Sequence, residues 1–246
     1  DGPLRVLKSL YPEGPGICHN VLVHPPGGLV GGDVLDIAVQ VGEGSHALVT
    51  TPGATRFYKS NGHQALQRTR LHLRPGARLE LLGVAATIAL PARAPGASHI
   101  RLDVAVGPGA SAVVALPPLV VTSRATVLAT TQAQVDGALD LTERIQLGRH
   151  DEAGGTWTGR LSAEVDGQPA IRQTQRSAAL LAAGWSGLVT RALLGSDVEP
   201  AAATCVGEAF AVPLARGGAL WTSVGRNLTA ADRALDLLAR PATTAR

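Results

Sequence analysis

Apolar residues recur at every second position through much of this chain. In Val39-Gln-Val-Gly-Glu-Gly44-Ser-His-Ala-Leu-Val49, in Leu71-His-Leu-Arg-Pro-Gly76-Ala-Arg-Leu-Glu-Leu81 and in Val104-Ala-Val-Gly-Pro-Gly109-Ala-Ser-Ala-Val-Val114, an alternating stretch meets a tight Gly or Pro-Gly turn and a second alternating stretch follows. Period two is the signature of a strand with one buried face. Each unit reads as a hairpin-like rung. The three glycines are 32 and then 33 residues apart, and a fixed period in this range predicts stacked β units, each gaining a core from its neighbours. Three unrelated hairpins would leave the same local pattern, so the repeat keeps both arrangements open. The segment Asp136-Gly137-Ala-Leu-Asp-Leu141 and a turn at Asp166-Gly167 carry the pattern past the middle.

Toward the C-terminus the period changes. Thr229 followed by Asp232 forms a capping box, and Ala231, Ala234, Leu235 and Leu238 share a helical face before Pro241, predicting a helix over 229–240. The Ala/Leu stretch from Ala178 to Leu194 is a second helical candidate, opposed by Gly184 and Gly187. The expected fold class is all-β, mainly antiparallel, with β-helix-like stacked strands and a small C-terminal helical part. No charged or Ser/Pro-rich linker divides the chain, so 1–246 reads as one elongated domain.

Composition narrows this further. With 3% aromatics and no methionine in 246 residues, Ala, Val and Leu must fill the core. The net charge of +3 comes from arginines spread along the chain, only Lys8 and Lys59 being lysine, and neither a basic block nor stacking aromatics suggest a nucleic-acid partner. Cys18 and Cys205 cannot build a disulfide framework, so a reducing, cytoplasmic setting is expected. The longest apolar stretch, Ala112 to Val121, is short and interrupted by Pro117 and Pro118, which argues against a membrane span. The start at Asp1, without methionine, suggests that N-terminal residues are missing.

Candidate chemistry concentrates in Cys18-His-Asn-Val-Leu-Val-His-Pro-Pro-Gly-Gly-Leu-Val-Gly-Gly-Asp33. Two prolines and four glycines within ten positions demand a shaped loop. Cys18, His19, His24 and Asp33 are donors that nickel or zinc accept, although each has an ordinary structural use as buried thiol, backbone partner or turn cap. A second Gly/Pro turn, Thr50 to Ser60, presents Arg56, Phe57 and Tyr58, residue types suited to a protein interface or, for the two aromatics, to plugging one end of the β core. There is no phosphate-binding Gly-Lys-Ser/Thr loop, no HxH or HExxH cage and no nucleophile arrangement, and His46, His63 and His72 lack the clustering of a cupin-like metalloenzyme. The reading is a non-enzyme.

Taken together, Tyr11-Pro-Glu, Cys18-His19, His24-Pro-Pro-Gly-Gly28, Gly31-Gly-Asp33, Thr51-Pro-Gly-Ala54 and Phe57-Tyr58-Lys-Ser60 resemble the UreD (UreH) family of urease accessory proteins, densely over residues 3 to 80 and more loosely in Glu143 to Arg149, Trp157 to Pro169 and Leu220 to Arg240. The resemblance implies a β-helical scaffold acting in metallocentre assembly. It would bind UreF, which recruits the nickel-carrying GTPase UreG, and the assembly would dock on apo-urease and pass Ni(II) through an internal tunnel, with no permanently bound cofactor. Asp33 is then the leading nickel-path residue, with Thr55 on the same route, His24, His46 and Glu80 as secondary donors, and Cys18 with His19 as a place of first uptake. A conduit calls for sparse, weak donors, since a complete cage would trap the ion. One departure from the family is the apolar Leu81-Leu82-Gly83-Val84-Ala85-Ala86, which leaves Glu80 as that stretch's only candidate. The alternative is a β scaffold that bridges UreF to apo-urease without binding nickel.

Overall fold

The structure, a computed structural model, describes residues 3–58, 62–91, 97–195 and 203–239. After β1 (Arg5–Val6), β2 (Cys18–Val23) and β3 (Gly28–Leu29), one path is repeated three times. A long strand lies in one sheet, a glycine turn carries the chain across, and two shorter strands separated by a bend lie in the other. These sets are β4 (Val34–Val41), β5 (His46–Thr51) and β6 (Thr55–Phe57); β7 (Leu66–Leu73), β8 (Arg78–Gly83) and β9 (Thr87–Ala89); then β10 (Ser98–Val106), β11 (Ser111–Ala115) and β12 (Leu119–Val121). A fourth turn of the stack is β13 (Thr126–Val135) followed by one unbroken strand, β14 (Ala138–Leu147), which pairs with both β11 and β12.

The stacked arrangement is as expected, whereas the mainly antiparallel pairing and the hairpin-like rung are not. Each strand pairs in parallel with its equivalent in the next rung, aligning Val41, Leu73, Val106 and Val135. Antiparallel pairs are confined to the N-terminal edge and the C-terminal strands. The reason lies in the turns: each takes the chain from one sheet to the other, so its flanking strands bond to neighbouring rungs instead of to one another. Gly44, Gly76 and Gly109 have φ of 62°, 66° and 64°, a region costly for other residues. They stack in a column in which the Gly44 N–H donates to the Pro75 carbonyl (3.2 Å) and the Gly76 N–H to that of Pro108 (3.0 Å).

The core fills the space between the sheets. Val41, Leu71, Leu73, Val104, Val106 and Val135 from the long strands meet Val49, Leu79, Ala112, Val114, Leu139 and Leu141 from the other sheet in one buried cluster. At roughly 25 cal/mol per Å² of apolar surface buried, such small side chains stabilise mainly through their number.

Past the stack, β15 (Thr156–Val165) extends the six-stranded sheet in parallel, and β16 (Gln168–Arg176) closes it as a hairpin. Asp166 and Gly167, with φ of 50° and 69°, form its two-residue turn, the geometry that fits strand twist. Only the start of the 178–194 stretch is helical, as α1 (Ser177–Ala182); Gly184 at φ 81° follows it, and the rest forms β17 (Gly187–Leu194). The larger sheet then continues from β14 through β17 and β20 (Gly218–Gly225) to β19 (Ala209–Pro213) and β18 (Thr204–Val206). Helix α2 (Leu228–Ala239) takes the place expected for 229–240, residue 240 lying outside the described residues. Its cap is Asn227, whose Oδ1 accepts the Ala230 N–H at 2.9 Å, whereas Asp232 is engaged by Arg144 Nε at 3.0 Å. Ala231 and Leu235 seat the helix on Val189. Among the described residues no helix is long and apolar enough to cross a membrane.

Tight stacking of successive turns gives a test. A Cβ at Gly137 would lie 2.2 Å from the Ala110 carbonyl oxygen, which accepts the Ala138 N–H. Gly137→Ala should lower stability in urea denaturation by about 2–3 kcal/mol, as overpacking does. Gly53→Ala, where a Cβ meets nothing within 4 Å, should stay within about 0.5 kcal/mol of the parent.

Candidate functional site

The loop between β2 and β4 is built from two turns. In the first, the Gly27 N–H donates to the His24 carbonyl (2.9 Å) across Pro25 and Pro26. In the second, the Asp33 N–H donates to the Val30 carbonyl (3.0 Å), with Gly32 at φ 95° where a type II turn needs glycine. Asp33 closes this turn from the other side, its Oδ2 accepting the Val30 N–H at 2.9 Å. The carboxylate is thereby fixed, and it borders an open hollow of about 440 Å³ that is also lined by His24, Leu4, Leu35 and Asp36.

His24 and Leu35 also border a second cavity, about 360 Å³, which enters between the sheets past Thr51, Ala54, Thr55, Arg56 and Ala85 and reaches Gln67, Thr87 and Pro117. Those last three line a third, smaller cavity of about 70 Å³, together with Thr69, Thr131 and Glu143. Three hollows thus lie in sequence, each sharing walls with the next, along the stacking direction. They sit where the strands of the larger sheet are interrupted, between β5 and β6, β8 and β9, and β11 and β12, and the two sheets do not close over the interruption. Gly83 is part of it, because a Cβ there would lie 2.3 Å from Pro117.

The walls carry scattered polar atoms. His24 Nδ1 and Gln67 Oε1 are buried without a hydrogen-bond partner among the described residues. Thr55 pairs with Thr87 across β6 and β9. Glu143 takes the inward phase of Leu139, Leu141, Glu143, Ile145 and Leu147, a place where the pattern calls for an apolar residue. It is half-buried and lines the third cavity. Burial pushes its carboxyl above the usual carboxylate range, only partly opposed by the Thr131 hydroxyl, which donates to Oε1 at 2.6 Å. Its register partners Thr190 and, one strand further, Thr222 each have a buried hydroxyl without a partner, so the polar row continues into β17 and β20.

The remaining candidates lie elsewhere. Successive residues of a strand face opposite ways, so Cys18 and His19 do not share a site. His19 Nε2 meets Glu13 Oε1 at 2.8 Å, while Cys18 sits among Tyr11, Ser9 and Asn20, the Tyr11 hydroxyl lowering its thiol below the usual range. His46 and Glu80 bond to each other at 3.3 Å on the outer face of the larger sheet, away from the cavities. Phe57 is fully buried against Leu29, Leu35, Ile37 and Ala65, which corrects the expectation of an interface residue: it plugs the end of the core. Tyr58 is exposed, its ring lying over Gly28, and Arg56 is exposed at the mouth of the second cavity. Lys59 and Ser60 of the same motif fall outside the described residues. Gln67, Thr69, Thr87, Thr131 and Glu143 were not singled out from the sequence, although the period-two phase could have flagged Glu143. Among the described residues no three or more His, Cys, Asp and Glu side chains gather as a metal-holding group.

Fold and site together define a two-sheet, parallel β stack with a polar passage between its sheets and no assembled metal cage among the described residues. Residues 1–92 match the model of the UreD urease accessory protein family. The chain is similar to proteins named urease accessory protein UreD from Albidiferax ferrireducens (62% identical over 107 residues, 44% of this chain and 38% of the relative), Polaromonas naphthalenivorans (74% over 81 residues, 33% and 29%) and Verminephrobacter eiseniae (75% over 81 residues, 33% and 29%). It thus spans less than two-fifths of the length of these curated relatives.

The raised Glu143 carboxyl gives a stability test. A carboxyl raised in the folded state holds a proton that the unfolded chain, near the ordinary value of 4.5, has already released. Folding stability therefore falls as pH rises from that value through the raised one. Glu143→Gln keeps the size and an acceptor for Thr131, and should show a smaller decline in melting temperature between pH 5 and pH 8, ending above the parent at pH 8. An identical pH profile would place the carboxyl in water.

Proposed function

We propose that this chain serves urease maturation as a non-catalytic β scaffold and conduit, passing Ni(II) as cargo toward the apo-urease active site in a complex with UreF and the GTPase UreG in the cytoplasm. The observation that carries the reading is the line of three adjoining cavities from the Asp33 carboxylate, past the unpartnered His24 nitrogen and the Thr55–Thr87 pair, to Glu143. Its donors are single and spaced along the route. Ni²⁺ lies high in the affinity order, so a complete nitrogen and sulfur cage would hold it, whereas isolated oxygen and imidazole donors allow it to leave. Asp33 supplies a fixed negative charge at the outer hollow and Glu143 an acid that exchanges its proton for a cation. The scheme moves the ion and the Glu143 proton, which passes to water as the cation arrives and returns as it leaves.

A second reading, a scaffold that bridges UreF to apo-urease without touching nickel, is favoured by the absence of any clustered donor set among the described residues. Two variants separate them when co-expressed with UreF, UreG and the urease subunits. Asp33→Asn keeps the acceptor for Val30 and removes the charge; Ala54→Trp narrows the second cavity and removes no donor. Both should still be recovered in the complex while nickel content and urease activity fall by about tenfold, the lower end of what losing a metal-site partner costs. Full nickel loading with both variants would leave the bridging role alone.

A further inference from the structure

The outer face of the six-stranded sheet is concave and forms a groove of about 920 Å³. On its N-terminal side the charges are already satisfied. Asp36 is held by Arg68 and by Arg70 Nη2 (3.0 Å), and Asp103 by Arg101 Nε (2.9 Å). On the C-terminal side they are not. Arg160 of β15 and Arg172 of β16 line the same groove, both exposed, and neither makes a hydrogen bond or ion pair among the described residues. Arg160 stands opposite Thr174 and Arg172 opposite Ser162, so the two arginines are diagonal neighbours on one face, roughly 7–8 Å apart at the backbone. Neighbouring like charges on paired strands destabilise a sheet. The groove's other carboxylate, Glu164, stands two residues along β15 from Ser162, on the side of Arg172 away from Arg160, and is not ion-paired among the described residues.

We infer that this groove docks an extended acidic segment of a partner protein, with Arg160 and Arg172 each gripping one carboxylate. The spacing selects the occupant. In an extended peptide, side chains at i and i+2 point the same way about 6.6 Å apart, close to the diagonal separation of the arginines. A guanidinium fork takes a carboxylate through two parallel N–H bonds, while Ser162 opposite Arg172, and Gln134 and the Gln132 amide N–H groups on the adjacent β13, offer partners for peptide groups. This goes beyond the conduit reading and does not depend on nickel.

The test uses the full chain and a fluorescein-labelled dodecapeptide of alternating Glu and Thr, followed by fluorescence anisotropy at low and at physiological salt. The peptide should bind the parent protein, and binding should weaken at least about tenfold in Arg160→Ser/Arg172→Ser, since each bond to a charged group contributes that much or more. It should be unchanged in Arg233→Ser, which removes an exposed arginine of α2, and lost when Gln replaces Glu in the peptide. Matching melting temperatures would show that the double variant is folded. The inference is overturned if the acidic peptide fails to bind, if it binds the double variant as tightly as the parent, or if the Gln peptide binds equally. Tighter binding of a twelve-residue oligothymidylate that displaces the acidic peptide would also overturn it, by assigning the arginines to phosphates.

Discussion

The parallel register of the stack is the constraint on which everything else rests. Because Val41, Leu73, Val106, Val135 and Val165 align rung upon rung, the inward or outward phase of every residue in a long strand is fixed by its neighbours, and a slip of one residue would turn the whole core row to solvent. The glycine column at 44, 76 and 109 locks that register at one edge, and the interruption of each rung in the larger sheet lines up because the rungs do. An axial passage is thus a consequence of stacking units that share one defect.

That geometry explains why polar groups survive inside. A buried hydroxyl or amide without partners costs on the order of 1–3 kcal/mol, so Gln67, Thr190 and Thr222 oppose folding locally. The cost is offset by the long apolar columns on either side, which are built from many small side chains whose close packing tolerates no missing methyl. Stability and openness are therefore separated in space: the glycine-turn end of each rung is solid, and the bend end is hollow. The two charged features lie on opposite sides of the same sheet, donors of the passage within and the arginines of the concave groove without, and strand alternation keeps them apart.

Much of this was legible in the sequence. The 32 to 33-residue spacing, the period-two phase and the Pro/Gly loop at 24–33 gave the stacked strands, the terminal helix and a rigid Asp33. Pairing direction was not legible, because alternation looks the same in a hairpin and in a turn that crosses between sheets; only the partner 32 residues away decides it. The helix cap moved from Thr229 to Asn227 because a local motif cannot show which residue the sheet already holds, and Asp232 was held by Arg144. Phe57 looked like an interface residue because exposure does not follow from residue type. Glu143 was hidden for the opposite reason: a charged residue in an apolar phase reads as noise until the facing sheet shows a cavity beside it.

The account's central claim, that the polar layer between the sheets admits a divalent ion, is tested most directly by anomalous diffraction at the nickel edge from crystals soaked in Ni²⁺. It predicts a peak inside the stack, between Gln67, Thr87 and Glu143, with a further one beside Asp33 or His24. Peaks confined to the outer surface, at His46 and Glu80 or at Cys18, with an empty interior would contradict it.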